Sequence, residues 1–149
     1  RAEMMILDIQ RCDLNIENNN RSHHTELNGV ERLIVRRGQT FTIILYLKPD
    51  SPEFRIGRTK LTLIAETGPS PRRQSDTKVS FSVGDSTVDT EWSASAITDP
   101  SGNTVSVCIN SSPDSPIGLY SLTLTQGKQE TNLGQFVLLF NAWCSSEYV

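Results

Sequence analysis

The most informative stretch of this 149-residue chain is Asp114-Ser115-Pro116-Ile117-Gly118-Leu119-Tyr120-Ser121-Leu122. Pro116 fixes its own φ and Gly118 allows a close approach of the backbone, so the first half is typical of a tight corner. From Tyr120 to Thr125, apolar and polar residues alternate with the two-residue period of a half-buried strand. The stretch therefore predicts a strand that begins at a corner.

The same alternation recurs between turn residues along the rest of the chain. Further strands are predicted over residues 12–16, 33–36, 41–47, 61–65, 79–83, 92–96, 105–109 and 133–140. No helical period is found, and the polar stretches 17–28 and 49–58 are predicted to be loops. About nine short strands without intervening helices predict an all-β antiparallel sandwich, forming one domain over residues 1–149.

The corner itself refines the sandwich prediction. It resembles the tyrosine corner of immunoglobulin domains, in which a tyrosine hydroxyl bonds to the backbone a few residues upstream. Leu122 stands two residues after Tyr120, where antibody domains place a cysteine. The expected fold is therefore an immunoglobulin-like sandwich without the disulfide, and Trp92 is the candidate for its central aromatic residue.

Composition excludes several classes of function. The chain has 14 basic and 17 acidic residues, a net charge of −3, which gives no general attraction to nucleic acid. Its longest apolar runs, Ile43–Leu47 and Phe136–Phe140, are far shorter than the ~20 residues of a membrane-spanning helix. The first residues hold no apolar segment of signal-peptide length, so we expect no membrane span and no secretory signal.

Charge is unevenly distributed along the chain. Residues 1–78 carry 13 basic and 10 acidic side chains, a net of +3, whereas residues 79–149 carry one base and seven acids, a net of −6. The basic residues that we single out as a candidate partner-binding surface are Arg32, Arg36, Arg37, Arg55, Arg58 and Lys60. The alternative interpretation is an ordinary solvated surface.

Residues able to support catalysis are few. Cys12, Cys108 and Cys144 cannot all pair, and none lies in a CxxC motif, which argues against a disulfide scaffold or a zinc site and favours a reducing compartment. Cys12 is in phase with Leu14, as expected of an inert core thiol. We predict no catalytic, cofactor-binding or metal-binding residue in this chain.

The only histidines, His23 and His24, are adjacent. On an extended backbone they would point to opposite sides, which disfavours a shared metal. A hydrogen-bonding role in their loop is the expected one.

Several blocks of sequence resemble one family throughout the chain. They are Arg21–Thr25, Leu33–Phe41, Thr67–Pro69, Trp92–Ala94, Gly102–Thr104, Pro116–Tyr120 and Leu133–Cys144. Together they resemble the amino-terminal domain of animal transglutaminases, and Gln10–Leu14 with Ala142 is similar to the tissue-type branch.

The resemblance implies a sandwich that precedes a catalytic core and two β-barrels. In such a parent protein, a cysteine thiolate, a histidine and an aspartate join glutamine to lysine or another amine by acyl transfer, with calcium activation. The tissue-type branch also binds guanine nucleotide. No position here matches the family's Gly-Gln-Cys-Trp nucleophile motif, and Cys144 falls in the block that ends the sandwich. This chain alone is therefore not expected to be an enzyme, although the parent is.

The resemblance also implies partners. We expect the domain to dock on the catalytic core through His23, His24 and Trp143, and we take fibronectin or heparan sulfate as candidate ligands of the basic residues. The same domain in a catalytically inactive homologue, acting as a structural or interaction protein, is the alternative. A cytoplasmic location is expected, with export that does not use a signal peptide left open.

Overall fold

The architecture is known from a computed structural model that describes residues 6–25, 32–52, 54, 60–67, 78–84, 92–99 and 103–139. Within these residues the chain forms nine strands and one short helix. The elements are β1 (Ile9–Asp13), α1 (Ile16–Ser22), β2 (Leu33–Arg36), β3 (Thr40–Leu47), β4 (Thr62–Thr67), β5 (Lys78–Ser82), β6 (Ser93–Thr98), β7 (Thr104–Asn110), β8 (Gly118–Gln126) and β9 (Gln129–Leu139). No helix among the described residues is long and apolar enough to cross a lipid bilayer.

The strands form two sheets, ordered β1-β3-β7-β6 and β2-β9-β8-β4-β5. The first has the strand order of the immunoglobulin ABED sheet, and β4, β8 and β9 correspond to the facing strands C, F and G. The predicted immunoglobulin-like sandwich is thus confirmed. Among the named strands of the described residues, one pairing departs from the antiparallel prediction, because β2 runs parallel to β9 from Leu33 opposite Phe136 to Arg36 opposite Leu139. The five-stranded sheet is therefore mixed.

Aromatic side chains fill the space between the sheets. Phe41 and Phe136 lie 5.2 Å apart between ring centroids, and Tyr120 stacks on Phe136 at 5.3 Å with an interplanar angle of 10°. Trp92, immediately before β6, lies 5.5 Å from Tyr120, which confirms its place in the core. The inward positions of β3, β7 and β8 alternate strictly with half-buried ones, so the two-residue period of the sequence becomes the inner face of the sandwich.

The tyrosine corner is also confirmed. The hydroxyl of Tyr120 donates a 2.6 Å hydrogen bond to the carbonyl of Pro116, and Gly118 has a φ of +139° that favours glycine. Burial raises the pKa of Tyr120 to about 12, so its hydroxyl remains a donor over the physiological range. The corner fixes the point at which β8 enters the core.

Two predictions were wrong, the strand over residues 12–16 and the loop over residues 17–28, of which residues 26–28 lie outside the described residues. The first strand ends at Asp13, and Asn15 takes a left-handed conformation with φ of 55°, which asparagine tolerates better than most residues. The carboxylate of Asp13 accepts from the amide of Asn15 at 2.8 Å, and α1 follows at once. A helix of seven residues shows no clear apolar period, and this one is held by side-chain hydrogen bonds to the sheets.

Candidate docking site at helix α1 and strand β2

Strand β2 pairs with β9 along one edge, and the segment that contains α1 meets its other edge. The side-chain amide of Asn20 donates from Nδ2 to the carbonyl of Arg32 at 2.9 Å, and its Oδ1 accepts from the backbone amide of Ile34 at 2.8 Å. The hydroxyl of Thr25 donates to the carbonyl of Ile34. Because these side chains occupy backbone groups that a neighbouring strand would bind, they protect an edge that could otherwise pair with another chain.

The same helix is tied to the opposite sheet through Asn19. Its side-chain amide donates to the carbonyl of Thr42 on β3 at 2.7 Å and accepts from the Thr42 amide at 3.1 Å. A further bond from the amide reaches the carbonyl of Leu14 at 2.9 Å. Helix α1 therefore bridges the two sheets where the chain crosses from β1 to β2.

His23, which follows α1, is almost fully buried and uses both ring nitrogens. Nδ1 accepts from the amide of Arg36 at 2.8 Å, and Nε2 lies 2.9 Å from the carbonyl of Thr40. Because an amide can only donate and a carbonyl can only accept, the ring must be neutral with its proton on Nε2. Burial lowers the pKa of His23, the bond to Thr40 acts in the opposite sense, and the nearby charges of Arg36 and His24 lower it further.

The predicted docking histidines are in contact with one residue of the predicted partner-binding surface, Arg36. The guanidinium of Arg36 donates from Nε to the carbonyl of His23 at 2.7 Å and from Nη2 to the carbonyl of His24 at 3.2 Å. His24 is exposed and adopts φ of 55°. The predicted docking histidines and the predicted partner-binding Arg36 thus form one cluster, which we call the His23 cluster (His23, His24 and Arg36).

The other predicted basic residues do not join this cluster into one surface. Arg37 donates from Nη1 to the carbonyl of Ser115 at 2.8 Å, so its guanidinium holds the loop before β8. Lys60 precedes β4 beside the far end of β8, whereas Arg36 pairs with Leu139 at the opposite end of β9. Arg36 and Lys60 therefore lie at opposite ends of the five-stranded sheet, on the order of 30 Å apart at ~3.3 Å per residue. Arg32 is exposed just before β2, and Arg55, Arg58 and Trp143 lie outside the described residues.

Cys12 and Cys108 are the two cysteines among the described residues. Burial, and then the charge of Asp13, raise the pKa of Cys12 to about 12. Cys108 lies 3.4 Å from the hydroxyl of Thr42, and neither cysteine is in a disulfide. His23, with both nitrogens bound to the backbone, cannot serve as the base of either thiol.

The buried polar residues Asn19, Asn20 and Thr25, which are 5–6% exposed, were not predicted from the sequence. The signal that could have revealed them is the run Asn18-Asn19-Asn20 between two strand-forming segments. Several amides in succession suit bonds to edge backbone groups better than they suit a plain loop.

Comparison with known proteins gives consistent matches along the chain. A sequence profile described as Transglutaminase family matches residues 10–127. Mouse protein-glutamine gamma-glutamyltransferase 2 is 40% identical over 99% of this chain and 21% of its own length, and the human protein of the same name is 38% identical over the same shares. Human Protein 4.2 is 37% identical over 92% of this chain and 20% of its own length. The chain thus spans about a fifth of the length of these curated relatives.

A solved structure gives the same fold. The crystal structure of red sea bream transglutaminase superposes with a TM-score of 0.70 and 24% sequence identity, covering 93% of this chain and 20% of that one.

Proposed function

This chain belongs to the transglutaminase family as its amino-terminal β-sandwich domain, and we propose that it is a non-catalytic part of a protein that crosslinks glutamine to lysine or other amines. In that acyl transfer a thiolate attacks the glutamine carboxamide, ammonia leaves, and an amine displaces the thioester. The domain extends over residues 1–149, and its role is to dock on the catalytic core of the same parent.

The non-catalytic assignment is supported by the raised pKa of Cys12 together with the hydrogen bonds of the His23 ring. A thiol nucleophile needs a lowered pKa or an adjacent base, whereas burial holds the pKa of Cys12 near 12. Both ring nitrogens of His23 are hydrogen-bonded to the backbone, Nδ1 to the amide of Arg36 and Nε2 to the carbonyl of Thr40. The described residues thus favour a structural function for this domain.

The metal and nucleotide chemistry is likewise proposed for the parent and not for this domain. Calcium takes six to eight oxygen ligands, largely from carboxylates. The described residues contain no group of three His, Cys, Asp or Glu side chains that could hold a metal ion. We assign calcium activation and guanine-nucleotide inhibition to the rest of the parent.

Substitution of the domain's own cysteines in the full-length parent tests this function. We expect the variant Cys12→Ser/Cys108→Ser/Cys144→Ser to incorporate a labelled amine into a glutamine-containing protein at the wild-type rate. Circular dichroism would verify that the variant is folded. Loss of turnover in a folded variant would mean that the domain supplies a catalytic thiol.

A second candidate function is that of the same domain in a homologue without catalysis. The identity to human Protein 4.2, whose name states no transferase activity, nearly equals that to the named transferases. Amine incorporation by the full-length parent with added calcium separates the two candidates. Calcium-dependent turnover supports the crosslinking enzyme, and its absence supports a structural or interaction protein.

Matrix binding is a further part of the proposal, with fibronectin or heparan sulfate as the ligand of the basic residues. Neutralising Arg36 and Arg37 is expected to weaken such binding, but it also removes bonds to the carbonyls of His23 and Ser115. Arg32→Gln is therefore the cleaner test, because that side chain is exposed. Its affinity for heparin should fall most at low salt, where screening is least, and unchanged affinity there would contradict the proposal.

A cytoplasmic location is proposed for the parent, with export that does not use a signal peptide as the alternative. The free thiols of Cys12 and Cys108 support a reducing compartment.

A further inference from the structure

Four aliphatic side chains form a patch on the outer face of the five-stranded sheet. Leu119 pairs with Val137, and Gly118 pairs with Leu138, so the register places Ile117 beside Leu139. The neighbours Tyr120 and Leu138 are fully buried toward the core, and because strand side chains alternate, the four residues face outward. We call this set (Ile117, Leu119, Val137 and Leu139) the β8–β9 patch.

The patch is confined to one end of the sheet. Ile117 is 42% exposed, and the other three are half-buried. Further along the outer face of β8, the outward residues are Ser121, Thr123 and Thr125, so the face becomes polar toward the hairpin at Gly127. Apolar side chains grouped in this way on an exposed face mark a contact surface more often than scattered ones do.

The position of the patch in the chain points to what covers it. Strand β9 ends at Leu139, within the patch, and in the longer relatives four fifths of the protein lies outside the region that this chain matches. For an amino-terminal domain, the parent chain therefore continues from this end of the sheet. The strand pairing of Arg36 with Leu139 also makes the patch continuous with the His23 cluster on the next strand.

We infer that the β8–β9 patch is the surface against which the catalytic core of the parent chain packs. The inference rests on the proposed function, which states that the domain docks, and adds where it docks. Because the four side chains carry no charge, the matching surface of the core is aliphatic or uncharged; a buried unpaired charge there would be strongly unfavourable. The His23 cluster lies at the rim of this contact.

Cysteine accessibility in the full-length parent tests the inference. Val137→Cys lies in the patch, and Thr123→Cys is the matched control, a half-buried outward position on the polar part of the same sheet. Each variant is alkylated with a small thiol reagent, peptides are quantified by mass spectrometry, and each rate is divided by the rate in urea. We expect Cys at position 137 to react about tenfold more slowly than Cys at position 123, because reaction requires the domains to separate.

Equal normalised rates at the two positions would overturn the inference. If Val137→Cys does not fold, Leu119→Cys on the partner strand takes its place. Protection that weakens on dilution of the parent would indicate a second copy of the chain as the occupant, which also overturns it. Amine incorporation, measured on the same preparations before alkylation, distinguishes failure of this inference from failure of the proposed function. An active parent whose Cys at position 137 is as reactive as the control refutes the docking surface and leaves the proposed crosslinking function intact.

Discussion

Acidification should destabilise this domain through His23, because its imidazole must be neutral to hold β2 and β3 together. Protonation would add a hydrogen to Nδ1, which accepts from the amide of Arg36 at 2.8 Å. The Arg36 guanidinium, which donates to the His23 carbonyl, and the exposed His24 supply no compensating negative charge. The perturbation is therefore a change from pH 7.5 to pH 5.5.

The sign follows from the pKa of His23, which burial lowers in the folded state from an ordinary value of 6.5. Well above pH 6.5 neither state is protonated, so the shift has no effect on stability. As the pH falls below 6.5 the unfolded chain binds a proton that the folded chain excludes, and the free energy of unfolding decreases until the folded pKa is reached. The limit is about 1.4 kcal/mol per pH unit, so roughly 1.4 kcal/mol is the most that can be lost by pH 5.5. For a domain of this size that is a decrease in Tm of about 3–6 °C.

Urea denaturation of the wild type and of His23→Gln at both pH values measures the effect. The variant lacks the titrating ring but shares every carboxylate, so the difference between the two pH dependences isolates His23. The wild type should lose more stability on acidification than the variant does. Identical pH dependences, or a wild type that is relatively more stable at pH 5.5, would refute the assigned tautomer and its role.

Three further changes probe the fold. Tyr120→Phe keeps the ring but leaves the carbonyl of Pro116 without its 2.6 Å donor, so urea denaturation should show a loss of about 1–3 kcal/mol; no loss would contradict the corner. Gly134→Ala should lower Tm, because Gly134 has φ of +131° and the added Cβ would lie 3.0 Å from Leu14; an unchanged Tm would mean that this contact yields freely. Cys12 has a pKa of about 12 in the folded domain against an ordinary 9.0, so at pH 8 it should be alkylated at least about 30-fold more slowly in the folded domain than in urea; comparable rates would place it at the surface.

Much of the fold was predictable because strands with one buried face have alternating apolar and polar residues in the sequence. The alternation in β3, β7 and β8 corresponds to their inner faces, and the Pro116–Tyr120 spacing predicts the corner that the Tyr120 hydrogen bond forms. Such features depend on local periodicity and on backbone constraints of single residues.

Helix α1 and the parallel pairing of β2 could not be predicted in the same way. The helix forms because Asn19 and Asn20 bind carbonyls and amides of β3 and β2, contacts that exist only once both sheets are in place. Its seven residues are too few to be stable from propensity alone.

The candidate site was predicted only in part, for a related reason. Sequence pattern drew attention to His23, His24 and the basic residues, but not to the bonds that join His23 to Arg36. It also grouped Arg36 with Lys60, which the strand register places at opposite ends of the sheet. Charge clusters in sequence carry no information on three-dimensional distance until the order of strands is known.

The most direct test of the non-catalytic assignment is an amine-incorporation assay on the 149-residue chain. The full-length parent is measured beside it, with and without calcium. We predict no transfer of a labelled amine to a glutamine-containing protein by the chain under any condition, and calcium-dependent transfer by the parent. Turnover by the chain alone would contradict the non-catalytic assignment, because it would require a nucleophilic thiol within this domain.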